Sequence, residues 1–252
     1  MESRKEKKLK RKQFVGNEIN INVNLQMLEK KKAIDELIKA ASAQNDPLAS
    51  FSPFRSYNTN GVSVYLDSGR GNKLSSSLKQ YIQQLLKVNM EGPYGSEWPA
   101  EEKLKRREMV SSEACYILVY QAPNSNTKEM STGSCTNEGR IVGFVHYRFT
   151  LEEEIPVVYV YELQLQSCVQ GKGLGKFLMQ LIELIARKSQ MGAVVLTVQK
   201  ANLLAMNFYI NKLRYAISSI SPSNVDPLTG LEKNYEILCK VFNAEAKSAL
   251  EE

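Results

Sequence analysis

A single histidine and four cysteines are all that this 252-residue chain offers toward a metal centre. Cys115, Cys135, Cys168 and Cys239 stand far apart, with no CxxC and no zinc spacing. No metal is therefore expected, and the cysteine usage reads as that of a reduced intracellular protein. No apolar run approaches the ~20 residues that a membrane span requires. The N-terminus is charged where a secretory leader would be apolar, so neither membrane insertion nor secretion is expected.

What is present is an ordinary globular composition, 43% hydrophobic and 24% charged. The net charge of +6 is concentrated at one end: residues 4–12, RKEKKLKRK, carry seven basic side chains against one acid. Residues 1–24 read as a basic, disordered tail, either a nuclear-import or polyanion-binding segment or simply a solvated one. Nucleus and cytoplasm are the expected locations. The remainder is close to neutral, so no nucleic-acid-binding surface is expected on the folded part. Nothing calls for more than a monomer.

Ile34, Leu37, Ile38 and Ala41 form one stripe of an amphipathic helix over about Leu25–Ala43, ended by Asp46-Pro47. Ser75-Ser76-Ser77 offers caps for a second helix with the stripe Leu78, Tyr81, Ile82, Leu85 and Leu86, closed by Gly92-Pro93. A charged helix is expected from Ala100 to Met109. Strands follow at Ala114–Tyr120, Arg140–Thr150 and Pro156–Gln166, with a Ser/Thr/Asn-rich loop at Ala122–Gly139 and an acidic turn at Leu151–Ile155. His146 reads as a hydrogen-bonded strand residue. A helix with the stripe Phe177, Leu178, Leu181, Ile182 and Ile185 leads to a β-branched strand, Ala193–Val198. A helix at Asn202–Leu213 and short strands at Tyr215–Ile220 and Tyr235–Val241 complete the pattern.

Between the strand at 157–165 and the helix at about Gly175 lies Gln170-Gly171-Lys172-Gly173-Leu174-Gly175. Glycines there bring backbone N–H groups close to a ligand, and a helix N-terminus favours an anion such as a pyrophosphate. A Rossmann fingerprint is excluded because Leu178 stands where its last glycine belongs. A P-loop is excluded because no Gly-Lys-Ser/Thr ends the turn.

Gln170-x-x-Gly173-x-Gly175 resembles the pyrophosphate loop of GNAT acetyltransferases, and Asn202-x-x-Ala205-x-x-Phe208-Tyr209 resembles the second part of that family's signature. Asp46-Pro47-Leu48-x-x-Phe51, Asn89-Met90 with Tyr94 and Ser96-Glu97-Trp98, His146-Tyr147-Arg148-Phe149, Tyr159-x-Tyr161-Glu162-Leu163-Gln164-Leu165 and Tyr235-Glu236-Ile237-Leu238 are similar to the D-type family of N-terminal acetyltransferases. The resemblance implies an α/β (α+β) GNAT fold, a mixed central sheet flanked by helices with an extra N-terminal helix at 25–45. It implies a catalytic domain over 46–243 and a tail at 244–252. The implied reaction is direct transfer from acetyl-CoA to the α-amine of histone tails beginning Ser-Gly-Arg-Gly (histones H-two-A and H-four).

The same resemblance implies Glu162 as general base. It implies Leu163, Gln164, Leu165, Gln170, Gly171, Lys172, Gly173, Leu174, Gly175, Lys176 and Asn202 around acetyl-CoA, and Tyr94, Trp98, Tyr161, Thr197 and Tyr235 around the peptide. By period two alone, Val160, Glu162, Gln164 and Gln166 share a face that reads equally as a solvated strand face. Tyr209 matches a tyrosine that protonates the leaving thiolate, or packs inside its helix. Thr150 replaces an aspartate that members can carry after H-x-R-F, and Glu152, Glu153 and Glu154 either supply that charge or form a solvated turn. Two further readings stay open: a lysine or small-amine acetyltransferase, and a catalytically idle acetyl-CoA- or chromatin-binding adaptor.

Overall fold

The computed structural model describes residues 25–122 and 139–252. The basic tail (1–24) and residues 123–138 of the Ser/Thr/Asn-rich segment, Cys135 among them, lie outside the described residues. Within them, eight strands form one mixed sheet: β1 (Ser56–Thr59), β2 (Val62–Arg70), β3 (Cys115–Gln121), β4 (Ile141–Glu152), β5 (Ile155–Leu165), β6 (Ala193–Gln199), β7 (Ala216–Ile217) and β8 (Tyr235–Val241). Their spatial order is β1-β2-β3-β4-β5-β6-β8-β7. Only β5 and β6 run parallel, and a helix connects them, as a parallel crossover requires.

The helices are α1 (25–43), α2 (Ser76–Tyr94), α3 (Trp98–Glu108), α4 (Leu174–Lys188), α5 (Leu203–Asn207), α6 (Pro222–Val225) and α7 (Ala244–Leu250). Strand alternation divides the apolar side chains between two faces. Cys115, Ile117 and Val119 of β3 pack with the buried stripe of α4, Leu178, Leu181, Ile182 and Ile185, and with Ala41 of α1. Tyr116 and Leu118 face the other way, onto Ile82 and Leu85 of α2 and Met109. Val157, Ala193 and Val195 on that second face meet Ala246 and Leu250 of α7. The result is the expected mixed sheet flanked by helices, with an N-terminal helix in front.

α1 runs over the expected residues, and its C-terminal end is tied down by Arg70, whose guanidinium donates to the carbonyls of Ser42 and Gln44. α2 opens at Ser75, whose hydroxyl accepts from the Leu78 N–H. Gly92-Pro93 does not close it. Pro93 lies one residue from the helix end, so the missing N–H costs only a last-turn bond, and the chain leaves the helix at Gly95, φ +54°.

Two strands, β1 and β2, precede α2 where no element was expected, joined by Asn60-Gly61 with φ of +54° and +71°. The strand expected at Tyr215–Ile220 shrinks to Ala216–Ile217, and the helix expected at Asn202–Leu213 widens into a π-helical turn at Phe208–Lys212. Residues 244–252 are no loose tail. Asn243 caps α7 by accepting from the Ala246 N–H at 2.8 Å, and Ala246 and Leu250, four apart on one helical face, are both fully buried.

Candidate active site

Strands β5 and β6 pair only as far as Val160 and Leu196, yet both continue, β5 to Leu165 and β6 to Gln199. Beyond that point they part, and a wedge opens in the middle of the sheet. The cleft there is lined by Tyr161–Gln164 from β5, Leu196–Gln199 from β6, Met90 and Tyr94 from α2, Lys105 from α3, and Asn202, Ala205 and Tyr209.

A bulge decides which side chains face it. In the β4–β5 pairing His146 opposes Glu162 but Tyr147 opposes Val160, leaving Tyr161 as an extra residue. Val160 belongs to the α4-side core, while Tyr161 stacks on His146 at 4.9 Å and Glu162 is turned toward α2 and α3. Strict period two would have kept Val160 and Glu162 on one face; the inserted residue reverses the alternation. The solvated-face reading fails as well, because Glu162 is 9% exposed and Gln164 5%.

A buried carboxylate needs partners, and each of its oxygens has one. Glu162 Oε1 accepts from Lys105 Nζ at 2.5 Å, and Oε2 accepts from Gln164 Nε2 at 2.9 Å. Asn89 in turn donates to Gln164 Oε1 at 2.9 Å and to the Leu165 carbonyl at 3.1 Å, which fixes the amide of Gln164 in the orientation that serves Glu162. Lys105 also lies 5.3 Å from the centre of the Tyr94 ring. Burial opposes its charge, but Glu162 and Tyr94 together hold its pKa above the ordinary lysine value.

The single histidine is outside this chemistry. His146 is sandwiched between Tyr116 and Tyr161, and burial, followed by Arg148 and Lys105, pushes its pKa down to about 3. It stays neutral at any physiological pH. Tyr209 is buried, lines the cleft from the π-helical turn, and burial raises its pKa, with Glu162 adding to the effect.

The glycine-rich loop stands at the open end of the wedge. Gly171 and Gly173 have φ of +71° and +89°, conformations that side chains rarely adopt, and Gly173 is the N-cap of α4 without a side-chain cap. The first N–H groups of α4, at Leu174, Gly175 and Lys176, therefore have no partner within the helix and suit a pyrophosphate. Lys172 and Lys176 add positive charge. The loop is braced from two sides: Gln170 Nε2 donates to the Leu165 carbonyl at 2.8 Å, and Tyr57 Oη and Asn60 Nδ2 donate to the Lys172 carbonyl at 2.6 and 3.0 Å. This donor set fits a coenzyme A pyrophosphate, with the wedge ahead of it for the acyl arm.

Of the residues singled out in the sequence, Tyr94, Tyr161, Glu162, Leu163, Gln164, Thr197 and Asn202 line one cleft. Asn202 also caps α5, accepting from the Ala205 N–H. Trp98 does not line the cleft; it is 3% exposed and stands behind Tyr94, ring centres 6.0 Å apart. Tyr235 pairs with Gln199 across β6 and β8, beside the cleft but not lining it. Lys105 and Gln199 line the cleft without having been singled out. Lys105 sits in a helix where charged residues recur at nearly every position, and Gln199 ends a strand of apolar neighbours, so neither carried a signal.

Several solved structures are similar to the chain at low identity. The PaiA N-acetyltransferase of Thermoplasma acidophilum, in complex with coenzyme A, is 14% identical over 70% of this chain and 99% of its own, with a TM-score of 0.46. Arabidopsis thaliana Naa50, in complex with the bisubstrate analogue CoA-Ac-MVNAL, is 21% identical over 72% and 100%, with a TM-score of 0.44. A GNAT-family acetyltransferase from Listeria monocytogenes is 12% identical over 74% and 99%, with a TM-score of 0.47. The model of the acetyltransferase (GNAT) family matches residues 82–213, more than half of the chain, and takes in both the wedge and the glycine loop. The chain belongs to the acetyltransferase (GNAT) family.

Proposed function

We propose that this enzyme transfers the acetyl group of acetyl-CoA to the free α-amine of a protein N-terminus, with Glu162 as general base. The observation that carries the reading is one buried carboxylate at the floor of the wedge, flanked by Tyr94 and Tyr161. An α-amine has an ordinary pKa of about 7.7–8.0 and a lysine amine one of about 10.4. A single carboxylate base therefore faces a deprotonation about 2.5 pKa units easier with the first than with the second. Among the described residues no other carboxylate lines the cleft, and His146 is held neutral behind Tyr161.

Glu162 would take the amine's proton, backbone N–H groups at Leu163–Leu165 would face the thioester oxygen, and Tyr209 would return a proton to the departing thiolate. What supports that role is place: Tyr209 lines the cleft from the π-helical turn, and burial keeps its hydroxyl protonated, so it can only donate there. The peptide would leave past Tyr94 through the groove formed by Gly92–Ser96, Lys200, Ala201 and 232–234.

The acceptor we favour is a histone tail beginning Ser-Gly-Arg-Gly, as the Tyr-x-Tyr-Glu-x-Gln-Leu strand and its flanks imply. Tyrosine walls leave room for small first residues and place hydroxyls for backbone amides. Glu152 is the acid of the hairpin turn whose charge bears on both Tyr159 and Tyr161, so it is the candidate to meet the third-position arginine. Glu154 lies within the field of Lys30 of α1, whose ion-pair partner is Glu245. Rates of coenzyme A release with Ser-Gly-Arg-Gly, Ser-Leu-Arg-Gly and Met-Leu peptides test the reading. Efficient turnover is expected only for the first, and equal rates for all three would refute the tyrosine-walled slot.

A further inference from the structure

The site at Glu162 already contains an amine. Lys105 Nζ lies 2.5 Å from Glu162 Oε1, stands over the Tyr94 ring, and has a side chain only 12% exposed. Carboxylate, aromatic face and phenol oxygen together form a complete receptor for a primary ammonium group. With Lys105 in it and Gln164 on the other oxygen, both oxygens of Glu162 are engaged.

We propose that Lys105 is a place-holder: in the free enzyme its ammonium occupies the position at Glu162 that the acceptor's α-ammonium takes over, and it swings out when the acceptor binds. The proposal rests on the reading of Glu162 as the base that receives an amine. Three features fit this role. Lys105 reaches the site on a flexible four-carbon stem from the last turn of α3, so it can leave by changing rotamers without moving the helix. An ammonium replaced by an ammonium leaves Glu162 paired throughout, which avoids the cost of a buried unpaired carboxylate. Lys105 is also a safe occupant, because Glu162 and Tyr94 hold it protonated against the effect of burial, whereas an α-amine gives up its proton near neutral pH.

The test is calorimetric binding of a Ser-Gly-Arg-Gly peptide, in the presence of coenzyme A, to the wild type and to Lys105→Met. A site free only a tenth of the time weakens apparent affinity about tenfold. Lys105→Met is therefore expected to bind the free-amine peptide about tenfold more tightly, and to bind an N-terminally blocked peptide no differently from wild type. Unchanged or weaker binding of the free-amine peptide overturns the proposal, as does an equal gain for the blocked peptide. Absence of binding to both proteins overturns it too, since a vacated receptor should hold an ammonium. Should Lys105→Met fail to fold, Lys105→Ala, which likewise empties the position and leaves room for water beside Glu162, carries the same comparison. Failure of the N-terminal reading shows separately, as absence of acetyl transfer by wild type, and leaves the affinity comparison to decide this point.

Discussion

Replacing Glu162 by glutamine removes the base and half of a buried ion pair in one step, and the two consequences separate experimentally. The general-base term is worth about 10²–10⁴ in rate, equivalent to about 2.7–5.4 kcal/mol of barrier. Acetyl-CoA affinity should change little, because the glycine loop is braced by Gln170, Tyr57 and Asn60 rather than by Glu162. Stability should also fall, since Lys105, 12% exposed, is left without a counter-ion. Breaking a fully buried pair costs about 3–5 kcal/mol. Glutamine keeps an acceptor oxygen for Lys105, so about 3 kcal/mol or less is expected here. At about 2–4 °C per kcal/mol for a chain of this size, the loss appears as several degrees of Tm. Adding Lys105→Met to Glu162→Gln removes the orphaned charge, and should recover part of the Tm and none of the kcat. Steady-state coenzyme A release and a thermal melt on the three proteins check this. Activity of Glu162→Gln within a few-fold of wild type would refute the reasoning, as would recovery of kcat in the double variant.

Gly173→Trp should abolish acetyl-CoA binding in calorimetry, because φ is +89° there and even a Cβ would come within 2.7 Å of the Tyr57 hydroxyl. Tyr57→Phe loses one hydrogen bond to the loop, worth about 0.5–1.5 kcal/mol, and should raise the Kd for acetyl-CoA roughly 2–10-fold without lowering kcat. Tyr209→Phe should lower kcat with peptide KM unchanged; an unaltered kcat would make the tyrosine a packing residue only. Asp46 accepts from Ser68, Leu48 N–H and Arg55, and these outweigh its burial to hold its pKa below the ordinary 3.8. Its contribution to stability is therefore present above that value and lost as pH falls through the lower, folded-state pKa, so Asp46→Asn should flatten the acid side of a Tm–pH profile.

The elements that position the site were legible where periodicity is strong. α4 shows its stripe because Leu178, Leu181, Ile182 and Ile185 are packed on one face only, and β6 its β-branched run because it is buried on both. The glycine loop was legible because positive φ demands glycine at Gly171 and Gly173. β1 and β2 carried a signal in Asn60-Gly61 followed by Val62, Val64 and Leu66, an I′-type turn and alternating strand, which the surrounding polar residues obscure. The bulge at Tyr161 could not be read, because an inserted residue depends on how two strands register and not on the composition of either. Lys105 escaped for a related reason: its neighbour Arg106 is just as basic and faces solvent, and only the α3–β5 contact singles one of them out. The fate of 244–252 turned on a contact as well, since Ala246 and Leu250 are too few to form a visible stripe.

The account stands most directly on where the acetyl group goes. A peptide beginning Ser-Gly-Arg-Gly and containing internal lysines is incubated with enzyme and acetyl-CoA, once with a free N-terminus and once with the N-terminus blocked, and the products are located by tandem mass spectrometry. The account predicts one acetyl group, on the α-amine of the free peptide, and no acetylation of the blocked peptide. Acetyl-lysine on the blocked peptide, formed at a rate comparable to that on the free one, would contradict it.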